Sequence, residues 1–270
     1  MEVGVMFWAA PDARATVQGV KALGVSCGQL GVTGDFPLTG AAPAWKAALE
    51  AESFRLVTVF AAYNGEDYAD IPTVERTVGF IPAATREERE ARTLELSDFA
   101  AALGVPSIAC HIGFVPHDKN HPDYVAVRDM VRRVCDHAAK NGQTFALETG
   151  QEPAHTLLDF FKDVDRANLG INFDPANLIL YGTDEPLPAL GVLGKHVISV
   201  HAKDGINPAA PGALGSEKPL GQGSVNIPAF VAKLKEIGYS GAVNIEREGQ
   251  SPEQWRADVS MAVGLLNSLI

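Results

Sequence analysis

The chain has 270 residues, 46% hydrophobic and 20% charged, with a formal net charge of -11. That length suits one (β/α)8 barrel or two small domains, and the composition is that of a globular protein able to bury a core. An acidic chain without a Lys/Arg-rich run offers no track for a nucleic-acid backbone. No apolar stretch is long enough to span a bilayer, and the N-terminus lacks a positively charged start, so neither nucleic acid nor membrane is expected as a partner and a cytoplasmic location is the default. Three cysteines, Cys27, Cys110 and Cys135, match neither a disulfide framework nor a CxxC zinc pattern and read as small, reduced, buried side chains.

Along the chain, eight short apolar runs rich in β-branched residues alternate with segments of helical period. The runs are 3–8, 26–32, 55–63, 107–113, 144–150, 169–175, 197–204 and 241–248. Helix-like stretches lie at 11–23, 43–53, 85–103, 122–140, 226–237 and 252–268, with weaker ones near 153–164 and 185–194. Repeated βα units imply a parallel sheet. Eight of them with no linker favour one closed (β/α)8 TIM barrel over residues 1–270, rather than an open doubly wound sheet. The first strand and the turn after it, VGVMFWAAPDA, have no GxGxxG for a dinucleotide. Two connections after strands, 64–84 and 205–225, are longer than a usual βα loop. In a barrel they fall on the C-terminal face where active sites are built, and they are expected to act as lids.

Side chains alternate along a strand, so parity separates residues facing the axis from those under the helices. In TFALE, Phe145 and Leu147 fit the covered face, leaving Glu148 inward. In GINFD, Ile171 and Phe173 go outward and Asp174 inward. VISVH puts Ile198 and Val200 outward and His201 inward, with Lys203 on the same parity, and AVNIE leaves Glu246 inward. The earlier SIACH turns His111 inward. Taken singly, a strand-end acid reads as a helix cap or an ion pair, and an inward histidine as a hydrogen-bonded core residue. Together they would repel and lose solvation unless a cation joined them. Glu148, Asp174, His201 and Glu246 therefore read as the ligands of one divalent metal ion. Three carboxylates and an imidazole suit Mn2+, Mg2+ or Co2+, with Zn2+ also compatible. His111 and Lys203 are expected to touch the substrate. For Lys203 a purely structural role balancing the carboxylates is an equal alternative. Glu152 is a further substrate-binding candidate that, like Asp204, could instead cap the following segment; Arg247, outward by parity, reads as structural.

Strand-end LETGQE, NFDPAN, SVHAKDG, PLGQGSVN and NIERE resemble the xylose isomerase-like TIM-barrel superfamily, in particular its sugar phosphate isomerase/epimerase branch, from the first strand to the last helix. In the ketose 3-epimerases of that superfamily a Glu, Asp, His, Glu set holds a metal, which maps onto Glu148, Asp174, His201 and Glu246, and the two glutamates exchange the proton. Two positions depart from that pattern. A histidine three residues after the Asp is Asn177 here, retained as a substrate-side candidate, and a substrate-binding arginine six residues after the His is Asn207. These differences bear on the substrate rather than on the metal set. Endonuclease IV-like repair enzymes of the superfamily need additional histidines for three zinc ions, and Asn177 replaces one of them.

The resemblance implies a metal-dependent isomerase or epimerase of a sugar or sugar derivative, working through a metal-stabilised cis-enediolate with Glu148 and Glu246 as the catalytic pair. The alternative is a lyase on the same scaffold, an inosose-type dehydratase or an enzyme of keto-glycoside elimination. A barrel that binds a sugar without turnover is a third reading, opposed by intact acid/base candidates. The expected partner is a small sugar or polyol, without a phosphate-binding cluster to greet it, and a homodimer is the ordinary expectation for such an enzyme.

Overall fold

The computed structural model describes residues 1–210 and 212–270. Eight parallel strands close into a barrel: β1 (Glu2–Trp8), β2 (Cys27–Val32), β3 (Arg55–Ala61), β4 (Ser107–Cys110), β5 (Thr144–Glu148), β6 (Leu169–Phe173), β7 (Val197–Ala202) and β10 (Ala242–Ile245), which returns to β1. The remaining strands, β8 (Asp204–Ile206) and β9 (Ser216–Lys218), form a separate antiparallel pair above the barrel mouth. The closed barrel is the one the run pattern implies, and the open sheet is excluded by the β1–β10 ladder pairing Val3 with Val243 and Val5 with Ile245.

Helices form where apolar residues recur at helical spacing and a capping side chain starts the turn. In α1 (Ala13–Lys21) the Asp12 carboxylate accepts from Ala15 N at 2.9 Å, and Ala13, Val17 and Val20 are buried against the barrel. The longest helix, α5 (Pro122–Lys140), buries Tyr124, Val127, Met130, Val131, Val134, Cys135 and Ala138, a stripe with the period of one helix face. The other helices are α2 (Ala42–Glu52), α3 (Ile71–Thr77), α4 (Arg86–Ala102), α6 (Ala154–Val164), α7 (Pro175–Tyr181), α8 (Pro186–Leu193), α9 (Ile227–Glu236) and α10 (Pro252–Leu269). The main core lies between strands and helices, where outward residues such as Phe145, Leu147, Ile171, Phe173 and Val200 are fully buried. Inside the barrel a small apolar group, Met6, Phe60, Ala109 and Ala146, sits apart from that core.

Sequence period did not mark α3, α7 or the β8–β9 pair. Helices of seven residues and strands of three are too short to establish a repeat. Both long connections therefore carry structure of their own. The segment after β3 is closed on itself by Glu66, which accepts from Tyr63 N at 2.9 Å and Gly79 N at 2.8 Å, and by Arg89, which donates to Gly79 O at 2.5 Å and Asn64 O at 3.1 Å. The segment after β7 is gathered by Asp204, whose carboxylate accepts from the backbone N–H groups of Gly205, Gly221, Gly223 and Val225 at 2.9–3.1 Å. A Cβ at Gly223 would lie 2.1 Å from Asp204 Oδ1, so only glycine lets the loop close this tightly. Asp204 thus holds the loop, the capping role open to it from sequence. Cys27, Cys110 and Cys135 are free and buried, and burial pushes the Cys27 and Cys135 thiols up to about 12.

Candidate active site

Consecutive neighbours in the ring, β5, β6, β7 and β10, deliver Glu148, Asp174, His201 and Glu246 to the C-terminal mouth. All four are buried, and one potential ligand atom from each lies within 4.8 Å of the others. Asp174 directly follows β6 and caps α7. Its Oδ1 accepts from Ala176 N at 2.8 Å and Asn177 N at 3.0 Å, and its own N–H donates to Thr149 Oγ1 at 2.8 Å. The capping role and the inward role therefore fall on different oxygens. Oδ1 is committed to the helix, while Oδ2 is buried and accepts no hydrogen bond.

Glu148 is divided in the same way. Oε2 lies 2.7 Å from His111 Nε2; Oε1 is buried, accepts no aligned hydrogen bond, and is in contact with His201 Nδ1 at 2.6 Å. His201 Nδ1 is also 3.1 Å from Glu246 Oε2 and 3.5 Å from Asp174 Oδ2. Its other nitrogen, Nε2, is 2.8 Å from Gln29 Oε1. Two orphaned buried carboxylate oxygens facing an imidazole nitrogen and a third carboxylate make a donor set that suits a divalent cation in both charge and ligand type.

The surrounding charges act in the same sense. Burial pulls the Glu148 carboxyl up, but His111 and His201 outweigh it and hold the group well below the usual carboxylate range. Burial alone would lower His111, yet the Glu148 carboxylate beside it pushes the imidazole up to about 9. Lys203, also buried, is raised well above its ordinary value by Glu246 and Glu248, to which its Nζ donates at 2.9 and 2.7 Å.

Glu148 and Glu246 open onto a cavity of about 450 Å³, whose wall also includes His111, Asn177 and Lys203. Gly150 lets α7 pack close behind the site, since a Cβ there would approach Asn177 Cβ to 2.8 Å. Both long connections reach the cavity, the first with Tyr68 and the second with Leu214, Gly215 and Glu217. Trp8 and Glu248 also line it, and sequence analysis singled out neither them nor Tyr68 and Glu217. A long loop carries no parity, so its inward residues give no local signal.

Glu152 lies elsewhere. It accepts from Val115 N at 2.7 Å and lines a separate cavity of about 150 Å³ with His117, Lys119 and Tyr124, where burial pushes its carboxyl up to about 8. Arg247 donates to Glu217 and Asp258, both at 2.7 Å, and so braces the second long connection against α10. Asn207 is exposed and outside the cavity wall.

A barrel with inward acids and an imidazole at its C-terminal mouth defines a class of small-molecule site. Residues 17–263 match the xylose isomerase-like TIM barrel family, and the chain belongs to it. The crystal structure of a xylose isomerase domain protein from Planctomyces limnophilus is 41% identical with a TM-score of 0.93, the alignment covering 99% of this chain and 96% of that one. D-psicose 3-epimerase from Clostridium cellulolyticum H10, solved with D-tagatose, shares the fold at 17% identity and a TM-score of 0.73, over 100% and 99% of the two chains. The probable 3-DHS dehydratase of Bacillus anthracis does so at 16% and 0.73, over 99% of each. The chain spans less than half the length of the curated relatives it matches, 30% of one and 44% of the other. Among the described residues no helix is long and apolar enough to cross a membrane.

Proposed function

We propose that the protein is a divalent-metal-dependent isomerase or epimerase of a sugar or sugar derivative. The observation that carries this reading is the buried set of Glu148, Asp174, His201 and Glu246, which leaves two carboxylate oxygens without any hydrogen-bond partner and of which Glu148 and Glu246 line a cavity of substrate size. Glu148, Asp174, His201 and Glu246 would hold the ion. Bound there, Mn2+, Mg2+ or Co2+ would supply Lewis-acid stabilisation of the negative charge that develops on two neighbouring substrate oxygens in an enediolate.

The protein groups do the rest. Glu148 and Glu246 stand three strands apart in the ring and face the substrate from different sides, so one removes the proton next to the carbonyl and the other returns it to the opposite face. His111, with its proton directed at Glu148 Oε2, fixes the orientation of that base, and Lys203 does the same for Glu246. Asn177 contributes a neutral polar wall, and the cavity cations His111 and Lys203 are already engaged by carboxylates, which favours an uncharged sugar or polyol over a phosphorylated one.

The test is turnover of a panel of ketoses, inososes and keto-glycosides by enzyme loaded with Mn2+, followed by mass spectrometry. A product of unchanged mass supports isomerisation or epimerisation. Loss of water or of an aglycone would move the assignment to the second reading, a lyase. Asn177 and Asn207, which stand where ketose 3-epimerases carry a histidine and an arginine, set the substrate of this site apart from that of a ketose 3-epimerase without choosing between the two reactions.

A further inference from the structure

We propose that Gln29 is a positioning residue for the metal-binding histidine, holding His201 with its proton on Nε2 so that the Nδ1 lone pair is presented to Glu148, Asp174 and Glu246. The inference rests on the metal reading above and concerns a residue of β2, three strands from β7 around the barrel. A neutral imidazole has one N–H and one lone pair, and a ligand nitrogen must be the one without the proton. Asn172 Nδ2 lies 3.3 Å from Nδ1 and 3.2 Å from Nε2 of His201 and so favours neither nitrogen, but the remaining contacts divide the two. Nδ1 faces three carboxylates at 2.6, 3.1 and 3.5 Å, whereas Nε2 meets the amide oxygen of Gln29 at 2.8 Å. An amide oxygen only accepts, so this contact requires hydrogen on Nε2.

Gln29 is itself fixed from behind. Its amide nitrogen donates to Asn172 Oδ1 at 3.0 Å and to Ser199 Oγ. Gln29, Asn172 and His201 are all 0% exposed and Ser199 3%, so water does not compete for these groups. The arrangement spans three strands, and each member is inward by strand alternation: Asn172 two residues before Asp174, Ser199 two before His201. A buried glutamine with both ends of its amide paired has little freedom to turn, and the histidine tautomer follows from its orientation. Groups that accept the distal N–H of a metal-bound histidine generally contribute 10- to 100-fold to metal affinity.

The experiment is Co2+ titration of chelator-stripped protein, read as dissociation constant and as the ligand-field absorption of the bound ion. It compares wild type, Gln29→Leu, which removes the acceptor, and Gln29→Glu, which keeps one; Gln29→Met replaces the leucine variant if that does not fold. Thermal unfolding of each stripped protein records purely structural damage. The expected result is Co2+ binding weakened about 10- to 100-fold, with a changed absorption spectrum, in Gln29→Leu or Gln29→Met. Gln29→Glu should stay within about threefold of wild type. Wild-type affinity and spectrum in the leucine or methionine variant overturn the proposal, whatever their melting temperatures, and so does an equal loss in Gln29→Glu. Wild-type protein that takes up no Co2+ overturns the metal reading and this inference with it, a result distinct from the other two.

Discussion

Glu148 and Glu246 carry the proposed chemistry, and their removal should be felt in rate before it is felt in folding. Glu→Gln keeps the shape but cannot act as a base, so each substitution should lower kcat by about 10²-fold or more. Metal content must be measured alongside, because a lost ligand would mimic a lost base. Turnover in D2O should place solvent deuterium on the carbon that changes configuration, and a product without deuterium would point to hydride transfer instead. Asp174→Ala should weaken metal binding, since Oδ2 is the free oxygen and Oδ1 is spent on the α7 cap. Unaltered metal content would remove Asp174 from the ligand set.

Glu152 makes a different kind of prediction. Its carboxyl titrates near 8 in the folded protein because it is buried, against an ordinary value near 4.5. A raised carboxyl contributes stability below about 4.5, and that contribution is lost as pH rises through about 8. Glu152→Gln retains the acceptor for Val115 N without the titration. The variant should therefore gain in melting temperature relative to wild type on moving from pH 5 to pH 8, and a pH-independent difference would contradict this account.

The two long connections show how an element too short for a sequence period can still be structurally specified. Asp204 ends the stretch of alternation begun in β7 and collects four backbone N–H groups from the following loop. That places Glu217 where it meets Arg247, and Leu214 and Gly215 where they wall the cavity. Asp204→Ala leaves four donors without an acceptor, those of Gly205 and Val225 buried, and should destabilise the protein by about 2 kcal/mol or more. Its effect on activity should appear chiefly as a raised KM, with metal affinity nearly unchanged, because Asp204 has no contact with the four metal candidates. Loss of metal binding in that variant would mean that the loop supports the centre as well as the cavity.

An ion held by the proposed set would tie four neighbouring strands together and so link metal binding to global stability. An ion bound only by the folded state at 100 times its dissociation constant adds about 2.7 kcal/mol, which for a chain of this size corresponds to a melting shift of roughly 5–10 °C. Stripping the protein with a chelator should lower its melting temperature by that order, and Mn2+, Co2+ or Mg2+ should restore both stability and activity. An identical melting curve with and without these ions would argue against the site.

The barrel itself was legible from residue order. Eight β-branched runs at βα spacing, with Phe145, Leu147, Ile171, Phe173 and Val200 on one parity, determine both the sheet and the face it covers, because alternation and helical period are local properties of the chain. The same alternation assigns Glu148, Asp174, His201 and Glu246 to the axis side. Tertiary structure decided what no local period encodes. Ring closure brings Gln29 of β2 to within 2.8 Å of His201, 172 residues away in sequence. It parts Glu152 from the cavity despite its nearness in sequence to Glu148, and it carries Tyr68 and Glu217 into the cavity wall from loops without parity. It also divides the labour between the two oxygens of Asp174, one held by a helix too short to predict and the other left bare among like charges. Such outcomes depend on which strands become neighbours and on how each loop folds back, and so on contacts between residues distant in the chain.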